Sequence, residues 1–189
     1  LKNIFVYLFL KMYDEYLYEV HRYHLRGKLW LTPFPLVDEM PEKAFENFIV
    51  SQCEDPFLDS TADITRRFYR ELVPSFHQRN LFHTWIVGLF QQTTLLQIAG
   101  FVDIQFYSLS GVELAIPQVG YWVAVHYRGQ GIASLGLAQM MSVYQLPKYE
   151  ALIHRDNRAS RRVADKCGFE EIMYNESTEH FTYAWSTLS

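Results

Sequence analysis

Residues 117–146 constrain the fold more than any other part of the chain. A strand-like segment, PQVGYWVAV (117–125), leads through the loop HYRGQ into a helical pattern that runs from Gly131 to Leu146 and is apolar almost all round. A helix of that kind has to be buried, so we expect it to lie centrally in the structure. Glycine lowers stability unless the backbone needs the freedom it provides. Gly129 and Gly131 therefore predict an unusual backbone conformation between the strand and the helix.

The other predicted elements surround this central segment. Before it come a strand, two helices and a hairpin, expected at 28–34, at 38–54 and 61–73, and at 82–90 with 95–107. After it come a strand, a helix and two closing strands, expected at 149–155, 157–168, 169–176 and 180–187. Consecutive strands followed by strands interleaved with helices predict an α/β or α+β fold built on one mixed sheet.

Composition and charge indicate which classes of binding partner the chain is not expected to have. A chain of 189 residues has room for one well-buried domain, and its net charge of −4 gives no field that would attract nucleic acid or an anionic membrane. The apolar run Ile4–Leu10 is shorter than a membrane span, and no small-residue cleavage site follows it. Cys53 and Cys167 lack metal-ligand spacing. We therefore expect a cytoplasmic protein with free thiols and without a metal, nucleic-acid or membrane partner.

The loop at 126–131 has the chemistry of an anion site. The first N–H groups of a helix have no partner within it, and the helix dipole places partial positive charge there. Gly129 and Gly131 would let several of these groups converge on a phosphate, and Arg128 adds a charge at the mouth. No Gly-Lys-Ser/Thr follows, so the loop is not a Walker loop, and it does not match the dinucleotide-binding fingerprint. A purely structural strand–helix turn stays open as the alternative.

A second constellation follows about two dozen residues later, in RDNRASRRVADKCGF (155–169). Asn157 suits the N-cap of a helix, with Ser160 three positions on, and Gly168 suits the C′ position that ends the helix. Each of these residues alone is a weak indication of function, but their order and spacing after the glycine loop are a stronger one.

Together these residues resemble the GNAT superfamily of acyl-CoA-dependent N-acetyltransferases. The resemblance rests on Arg-x-x-Gly-x-Ala (Arg128, Gly131, Ala133), Asn-x-x-Ser (Asn157, Ser160) and Lys-x-Gly-Phe (Lys166, Gly168, Phe169). It is strongest to the branch that contains the ribosomal-protein N-terminal acetyltransferases. It implies one domain over 25–189 after an extension (1–24) of unassigned role. The implied fold is a mixed, mostly antiparallel sheet of about six to seven strands flanked by about four helices.

The resemblance also implies acetyl-CoA as the acetyl donor. The strand before the loop would offer backbone groups to the pantetheine arm, the loop would cradle the pyrophosphate, and Asn157 would hydrogen-bond the arm or a bound water. The residues that the resemblance assigns to this cofactor are Trp122, Val123, Val125, Arg128, Gly129, Gln130, Gly131, Ile132, Ala133, Asn157 and Ser160.

The sequence identifies the residues that would transfer protons less clearly than those that would bind acetyl-CoA. Ser160 would lie near the thioester sulfur and is assigned as the general acid, because the tyrosine that many relatives carry two positions before the lysine is Ala164 here. The glutamate that relatives often place just before the Gly-Tyr-Trp segment is Gln118, which cannot act as a base. Glu113 and Glu179 are the candidates for the base, and a solvated loop carboxylate is the alternative for each.

The sequence therefore predicts an enzyme that transfers an acetyl group from acetyl-CoA to a primary amine by direct attack. The acceptor is a protein N-terminus or a small amine, and a homodimer is left open. Aromatic residues between 34 and 76 come from the region that builds the acceptor wall in this superfamily, with hydrophobic core as the simpler interpretation of most of them. Because both usual proton-transfer positions are lost, an acyl-CoA-binding or regulatory module without turnover is the alternative function.

Overall fold

The computed structural model describes residues 23–33, 42–53, 82–91, 94–107 and 112–187. The predicted helix at 61–73, the segment 1–22 and most of the aromatic residues assigned to an acceptor wall lie outside these ranges.

Eight described segments are strands of one sheet. In chain order they are β1 (Tyr23–Arg26), β2 (Leu29–Pro33), β3 (Phe82–Gln91), β4 (Thr94–Tyr107), β5 (Glu113–Val123), β6 (Lys148–His154), β7 (Glu170–Asn175) and β8 (His180–Ser186). Their order across the sheet is β1-β2-β3-β4-β5-β6-β8-β7. All neighbours pair antiparallel except β5 and β6, which are parallel. The chain therefore has the mixed sheet that the sequence pattern predicts, and the sheet is mostly antiparallel, as the family resemblance implies.

Three α-helices lie in the described ranges and cover the two faces of this sheet. They are α1 (Glu42–Cys53), α2 (Ile132–Tyr144) and α3 (Arg158–Lys166). On one face, the ring of Phe48 in α1 contacts Phe101 of β4 and Trp122 of β5, with centroid distances of 6.4 and 5.5 Å. On the opposite face, α2 packs on β4, and the thiol of Cys167, just after α3, donates to the carbonyl of Ser134 in α2.

The helix α2 occupies the centre of its face, as its apolar sequence predicts. Leu137 and Met140 are fully buried, and most of the helix joins the core formed with β3, β4, β5 and β6. Only Leu135 among its large apolar side chains is well exposed. Burial of a helix on nearly all sides fixes its first turn relative to the strands, and that first turn borders the candidate site.

The fold class is confirmed, with differences in the count and limits of the strands. The sheet has eight strands rather than about six to seven, because β1 was not predicted. Its four residues, YHLR, contain no β-branched side chain, and it is a strand because a tight turn at Gly27 and Lys28 pairs it with β2. The expected boundary at 24/25 falls within β1. The strand β5 begins four residues earlier than predicted and ends at Val123, where one turn of 3-10 helix follows.

Candidate active site

The sheet opens between its two parallel strands. The ladder between β5 and β6 has a single residue pair within the described chain, Gln118 with Glu150. The strand β5 nevertheless continues to Val123, paired with β4 all the way. From residue 119 onward β5 and β6 therefore diverge, and the backbone of β5 borders an opening that reaches both faces of the sheet.

Backbone donors of β5 point into this opening. Val123 is the register partner of Gly100 in β4, while the amide of the next residue, Ala124, donates to the carbonyl of residue 99 at 2.8 Å. In an antiparallel ladder this pattern identifies Val123 and Gly100 as a non-hydrogen-bonded pair. The N–H and C=O of Val123 therefore point away from β4, toward the opening, and alternation directs those of Tyr121 the same way.

Two glycines with left-handed backbones follow the end of β5. Gly129 has φ +75°, and Gly131, the N-cap of α2, has φ +78°. L-residues with a side chain rarely adopt these angles, so the loop needs glycine for its conformation. A Cβ at either position would meet no heavy atom of the described segments within 4 Å, so their surface over both glycines is open.

The glycine loop presents a row of backbone donors at the start of α2. The first helical hydrogen bond runs from the amide of Leu135 to the carbonyl of Gly131, at 3.0 Å. Within the described part of the chain, none of the amides from Gly129 to Ser134 has a hydrogen-bond acceptor. We call these six amides the amide cradle. Together with the dipole of α2 they form a site suited to a phosphate group.

Two arginines support the loop from different directions. Arg128 folds back onto the end of β5, where its Nε donates to the carbonyl of Val123 at 2.9 Å. Arg26, at the end of β1, donates from Nη1 to the carbonyl of Gln130 at 3.4 Å. Both side chains are exposed and bring positive charge to the cradle. Sequence reasoning missed Arg26, because no motif links it to a loop that lies 104 residues further along the chain.

The first turn of α3 lies across the opening from β5. Asn157 is its N-cap, and its Oδ1 accepts the amide of Ser160 at 3.1 Å, as predicted from the sequence. The hydroxyl of Tyr121 donates to the carbonyl of Ser160 at 2.7 Å. Burial raises the pKa of Tyr121 above its usual range, so the phenol stays protonated and keeps this bond. The main chain of Ser160 is thereby fixed on both sides, while its Oγ has no partner among the described residues.

The remaining residues assigned to acetyl-CoA lie along the same path. Ile132 is buried at the start of α2 and Ala133 is half-buried beside it, so both contribute to the cradle through their amides. The indole of Trp122 is buried against the rings of Phe101 and Phe48, on the α1 face, and only its backbone borders the opening. Val125 is exposed in the 3-10 turn.

The two glutamates predicted as candidates for the base lie apart from each other. Glu113 is the first residue of β5, ten residues from Val123 or about 33 Å along the strand, and is exposed. Glu179 precedes β8 with φ +56° and lies beside the C-terminal end of β6. Its carboxylate contacts Nη1 of Arg155 at 2.9 Å and Nε2 of His154 at 3.6 Å. The structure thus places Glu179, but not Glu113, near the first turn of α3.

Two further observations concern the described ranges as a whole. No group of three or more histidine, cysteine, aspartate and glutamate side chains there is arranged to hold a metal ion. No helix in the same ranges is both long and apolar enough to cross a membrane.

Comparison with known families gives one clear match. The family model for the acetyltransferase (GNAT) domain matches residues 29–170, well over half of the chain. No curated protein sequence matches the chain.

Several solved structures share the fold. RimL, a ribosomal L7/L12 alpha-N-protein acetyltransferase in complex with coenzyme A, superposes with a TM-score of 0.62 at 19% identity, over 88% of this chain and 98% of that one. Mycobacterium smegmatis RimJ in complex with CoA-disulfide gives 0.60 at 18% identity, over 84% and 82%. The ribosomal-protein-S5-alanine acetyltransferase from Vibrio fischeri gives 0.60 at 15% identity, over 90% and 98%. At these identities the likeness establishes the fold.

Proposed function

Because the chain belongs to the GNAT acetyltransferase family, we propose that it transfers the acetyl group of acetyl-CoA directly to a primary amine. The observation that carries this proposal is the position of the amide cradle at the end of the strand that borders the opening. One continuous path leads from a phosphate site, Gly129 to Ser134, to the inward-facing N–H of Val123.

The described residues fit acetyl-CoA. The open surface over Gly129 and Gly131 leaves room for the pyrophosphate, and the amide cradle supplies donors without a competing partner. Arg26 and Arg128 add charge beside it. The N–H and C=O groups of β5 that face the opening match the amides of a pantetheine arm. Asn157 has its Nδ2 donor left for the same arm, since its Oδ1 caps α3.

Acetyl-CoA supplies an activated thioester, so the protein has mainly to orient the two reactants. The N–H of Val123, which faces the opening, would serve as a donor to the developing oxyanion. Ser160, whose main chain is held by Asn157 and Tyr121, offers its hydroxyl as the donor of a proton to the departing sulfur. Position 164, by contrast, is a buried alanine, whose side chain has no hydroxyl to donate a proton.

The acceptor that we favour is the N-terminal amine of a protein. The support is the fold shared with RimL and with the ribosomal-protein-S5-alanine acetyltransferase, each of which is named for a ribosomal-protein substrate. Small primary amines are the second class of acceptor. The proposal includes a cytoplasmic location, where ribosomal proteins are found, and leaves open whether the protein forms a homodimer.

Release of CoA thiol from acetyl-CoA tests the proposal, with a short peptide beginning with alanine and with phenethylamine as acceptors. We expect amine-dependent thiol release and a product heavier by one acetyl group. Tight binding of acetyl-CoA without transfer to any amine would favour the acyl-CoA-binding module instead. Failure to bind acetyl-CoA at all would refute both functions.

A further inference from the structure

A buried carboxylate lies on the α1 face of the sheet, close to the opening. Asp103 is on β4, two residues after Phe101, whose ring contacts Phe48 of α1. Strand alternation therefore places Asp103 on the face covered by α1, opposite the face that carries α2 and α3. The side chain is only 8% exposed.

The Asp103 carboxylate lies over the backbone of Gly120. The two residues are register partners, and a Cβ at Gly120 would lie only 2.1 Å from Oδ1 of Asp103. Glycine is therefore needed here to make room for the carboxylate, not for an unusual φ. Gly120 is two residues past Gln118, the β5 residue that pairs with β6, so the carboxylate lies beside the start of the opening. Gly120 itself is half-buried, so part of its surface is accessible to solvent.

The described chain does not satisfy this carboxylate. Its Oδ2 accepts a 3.3 Å hydrogen bond from Nε2 of Gln105, and its Oδ1 has no hydrogen-bond partner among the residues that the structure describes. Burial raises the pKa of Asp103 to about 6, against the smaller lowering by Gln105 and by the amides of Gly120 and Asp103 itself. Those amides are near the carboxyl group, but neither satisfies Oδ1. A buried and unpartnered carboxylate oxygen is costly to a fold, and it calls for a specific role.

No described charge compensates Asp103. Its register partner on β3 is Thr84, and the same face of β5 carries Gln118. The titratable side chains described on other elements of this face include Lys43 and Glu46 on α1, and Lys148, Glu150 and His154 on β6. Within the described ranges, none of these charges contributes to the pKa shift of Asp103. A cation that enters the opening would therefore be the first counter-charge for this carboxylate.

We propose that Asp103 binds the ammonium group of the acceptor amine and accepts the proton that this nitrogen loses before it attacks the thioester. The inference rests on the proposed acetyl transfer and adds to it the group that handles the acceptor. The ligand class is a primary amine in its protonated form. Asp103 and the amide cradle lie on opposite faces of the sheet, so acceptor and donor meet in the opening between β5 and β6.

The proton balance is complete without a further reactant. The ammonium gives one proton to the Asp103 carboxylate, directly or through one water, and becomes a nucleophilic amine. Its nitrogen forms a bond to the thioester carbonyl carbon, and the carbon–sulfur bond then breaks. As the amide forms, the departing thiolate takes the proton of the Ser160 hydroxyl, and the second proton of the nitrogen passes, directly or through water, to the Ser160 oxygen. Asp103 returns its proton to solvent.

The test compares the parent protein with Asp103→Asn, using the alanine-initiated peptide and phenethylamine from about pH 5 to 9. We expect Asp103→Asn to bind acetyl-CoA like the parent, to lose about 100-fold or more in kcat/KM for both amines, and to lose the acidic limb near pH 6 in its pH–rate profile. Gly120→Ala should reproduce the loss in kcat/KM by displacing the carboxylate. Gly136→Ala, a buried glycine that faces Val102 on the other side of the sheet, is the matched control and should retain activity.

A further variant separates a chemical role from a structural one. Gln105→Leu removes the hydrogen bond that stabilises the charged carboxylate, so the acidic limb should move to higher pH. This variant also decides the matter if Asp103→Asn does not fold, because an acidic limb that stays in place overturns the inference. Asp103→Asn with parental kcat/KM and an unchanged profile overturns it as well, and leaves the acetyltransferase function intact. A parent protein that transfers acetyl to no amine overturns both.

Discussion

The hydroxyl of Tyr121 and the carbonyl of Ser160 are joined by a 2.7 Å hydrogen bond that spans the opening between β5 and α3. Tyr121 belongs to the strand that borders the opening, and Ser160 belongs to the turn assigned to the thioester end of acetyl-CoA. The bond therefore fixes the distance between the backbone donor at Val123 and the hydroxyl of Ser160. It links the two sides of the opening beyond Gln118 and Glu150, the single β5–β6 pair of the described chain.

Tyr121→Phe tests this tie. The variant leaves the carbonyl of Ser160 without the phenolic donor, and we expect a loss of about 1 kcal/mol in the free energy of unfolding. We also expect kcat to fall several-fold, with KM for acetyl-CoA nearly unchanged, because Ser160 loses its position but the amide cradle does not. Urea unfolding and steady-state kinetics measure the two effects. Tyr149→Phe, which loses a hydroxyl bound to the carbonyl of Met141 and the amide of Leu146 at the C-terminal end of α2, is the control and should keep parental kcat.

Gly131→Ala separates backbone strain from ligand binding. Gly131 and Gly168 have nearly the same φ, +78° and +81°, so alanine at either position should cost about 1–2 kcal/mol of stability. Only Gly131→Ala also distorts the amide cradle. We therefore expect this variant, and not Gly168→Ala, to weaken acetyl-CoA binding by 10-fold or more, where each factor of ten corresponds to about 1.4 kcal/mol of binding free energy. Calorimetric titration of both variants gives the comparison. Equal affinities would place the pyrophosphate elsewhere.

Arg26→Ala tests a contribution that the motifs do not reveal. The guanidinium reaches the carbonyl of Gln130 and adds charge beside the cradle, so we expect acetyl-CoA to bind a few-fold more weakly and with a smaller dependence on salt. Lys28 lies in the same hairpin and makes no hydrogen bond to the loop in the described structure, so Lys28→Ala should bind acetyl-CoA like the parent. A similar loss in both variants would indicate a general charge effect.

The two glutamates are tested by conversion to glutamine. Glu113 lies at the far end of β5, and we expect Glu113→Gln to retain the parental rate and pH profile. Glu179→Gln breaks a half-exposed ion pair with Arg155, which should change the free energy of unfolding by less than about 1 kcal/mol. If Asp103 accepts the proton, both variants keep the acidic limb of the pH–rate profile. Loss of that limb in Glu179→Gln would instead identify Glu179 as the base.

The pH dependence of stability should distinguish Asp103 from His83. Asp103 has its pKa raised from 3.8 to about 6 by burial, so its stabilising contribution is full below pH 3.8 and is lost as the pH rises through 6. Burial lowers the pKa of His83 from 6.5 to about 4, so its contribution is present above pH 6.5 and is lost as the pH falls toward 4.

Between pH 4 and 6 these two contributions oppose each other in the parent. In Asp103→Asn the contribution of Asp103 to the free energy of unfolding is removed, so the loss of the His83 contribution on acidification is no longer offset. We therefore expect Asp103→Asn to lose about 2 kcal/mol more than the parent on acidification from about pH 6 to 4. Urea unfolding at a series of pH values measures both slopes. Parallel slopes would show that the Asp103 carboxyl titrates at its ordinary pKa.

Features with a local physical cause were predicted from the sequence. The unusual backbone at Gly129 and Gly131, the helix end at Gly168, the N-cap at Asn157 and the burial of α2 each depend on a few neighbouring residues, and all are present. The resemblance that placed a phosphate site at this loop rests on the same local spacing. The four-residue β1 has no such local signal and was missed.

Features that depend on register between distant segments could not be predicted. Arg26 meets Gln130 because the β1–β2 hairpin lies beside the loop, and Tyr121 meets Ser160 because α3 packs across the opening. The contact between Asp103 and Gly120 depends on the pairing of β4 with β5. In the sequence, Asp103 is an isolated acid within an apolar strand. Its surroundings become visible only once the strand pairing is known.

The single residue pair between β5 and β6 has a consequence for how such a protein can diversify. Gln118 with Glu150 is the one point where the two halves of the sheet share a ladder within the described chain, and the glycine loop belongs to one half only. Asp103 lies in the first half, whereas Asn157 and Ser160 follow β6 in the second. Substitutions that change the angle between the halves can therefore shift the group that we propose for the acceptor relative to Asn157 and Ser160, without breaking a ladder within either half. A lineage can in this way accommodate a different acceptor while each half keeps its own strand pairing.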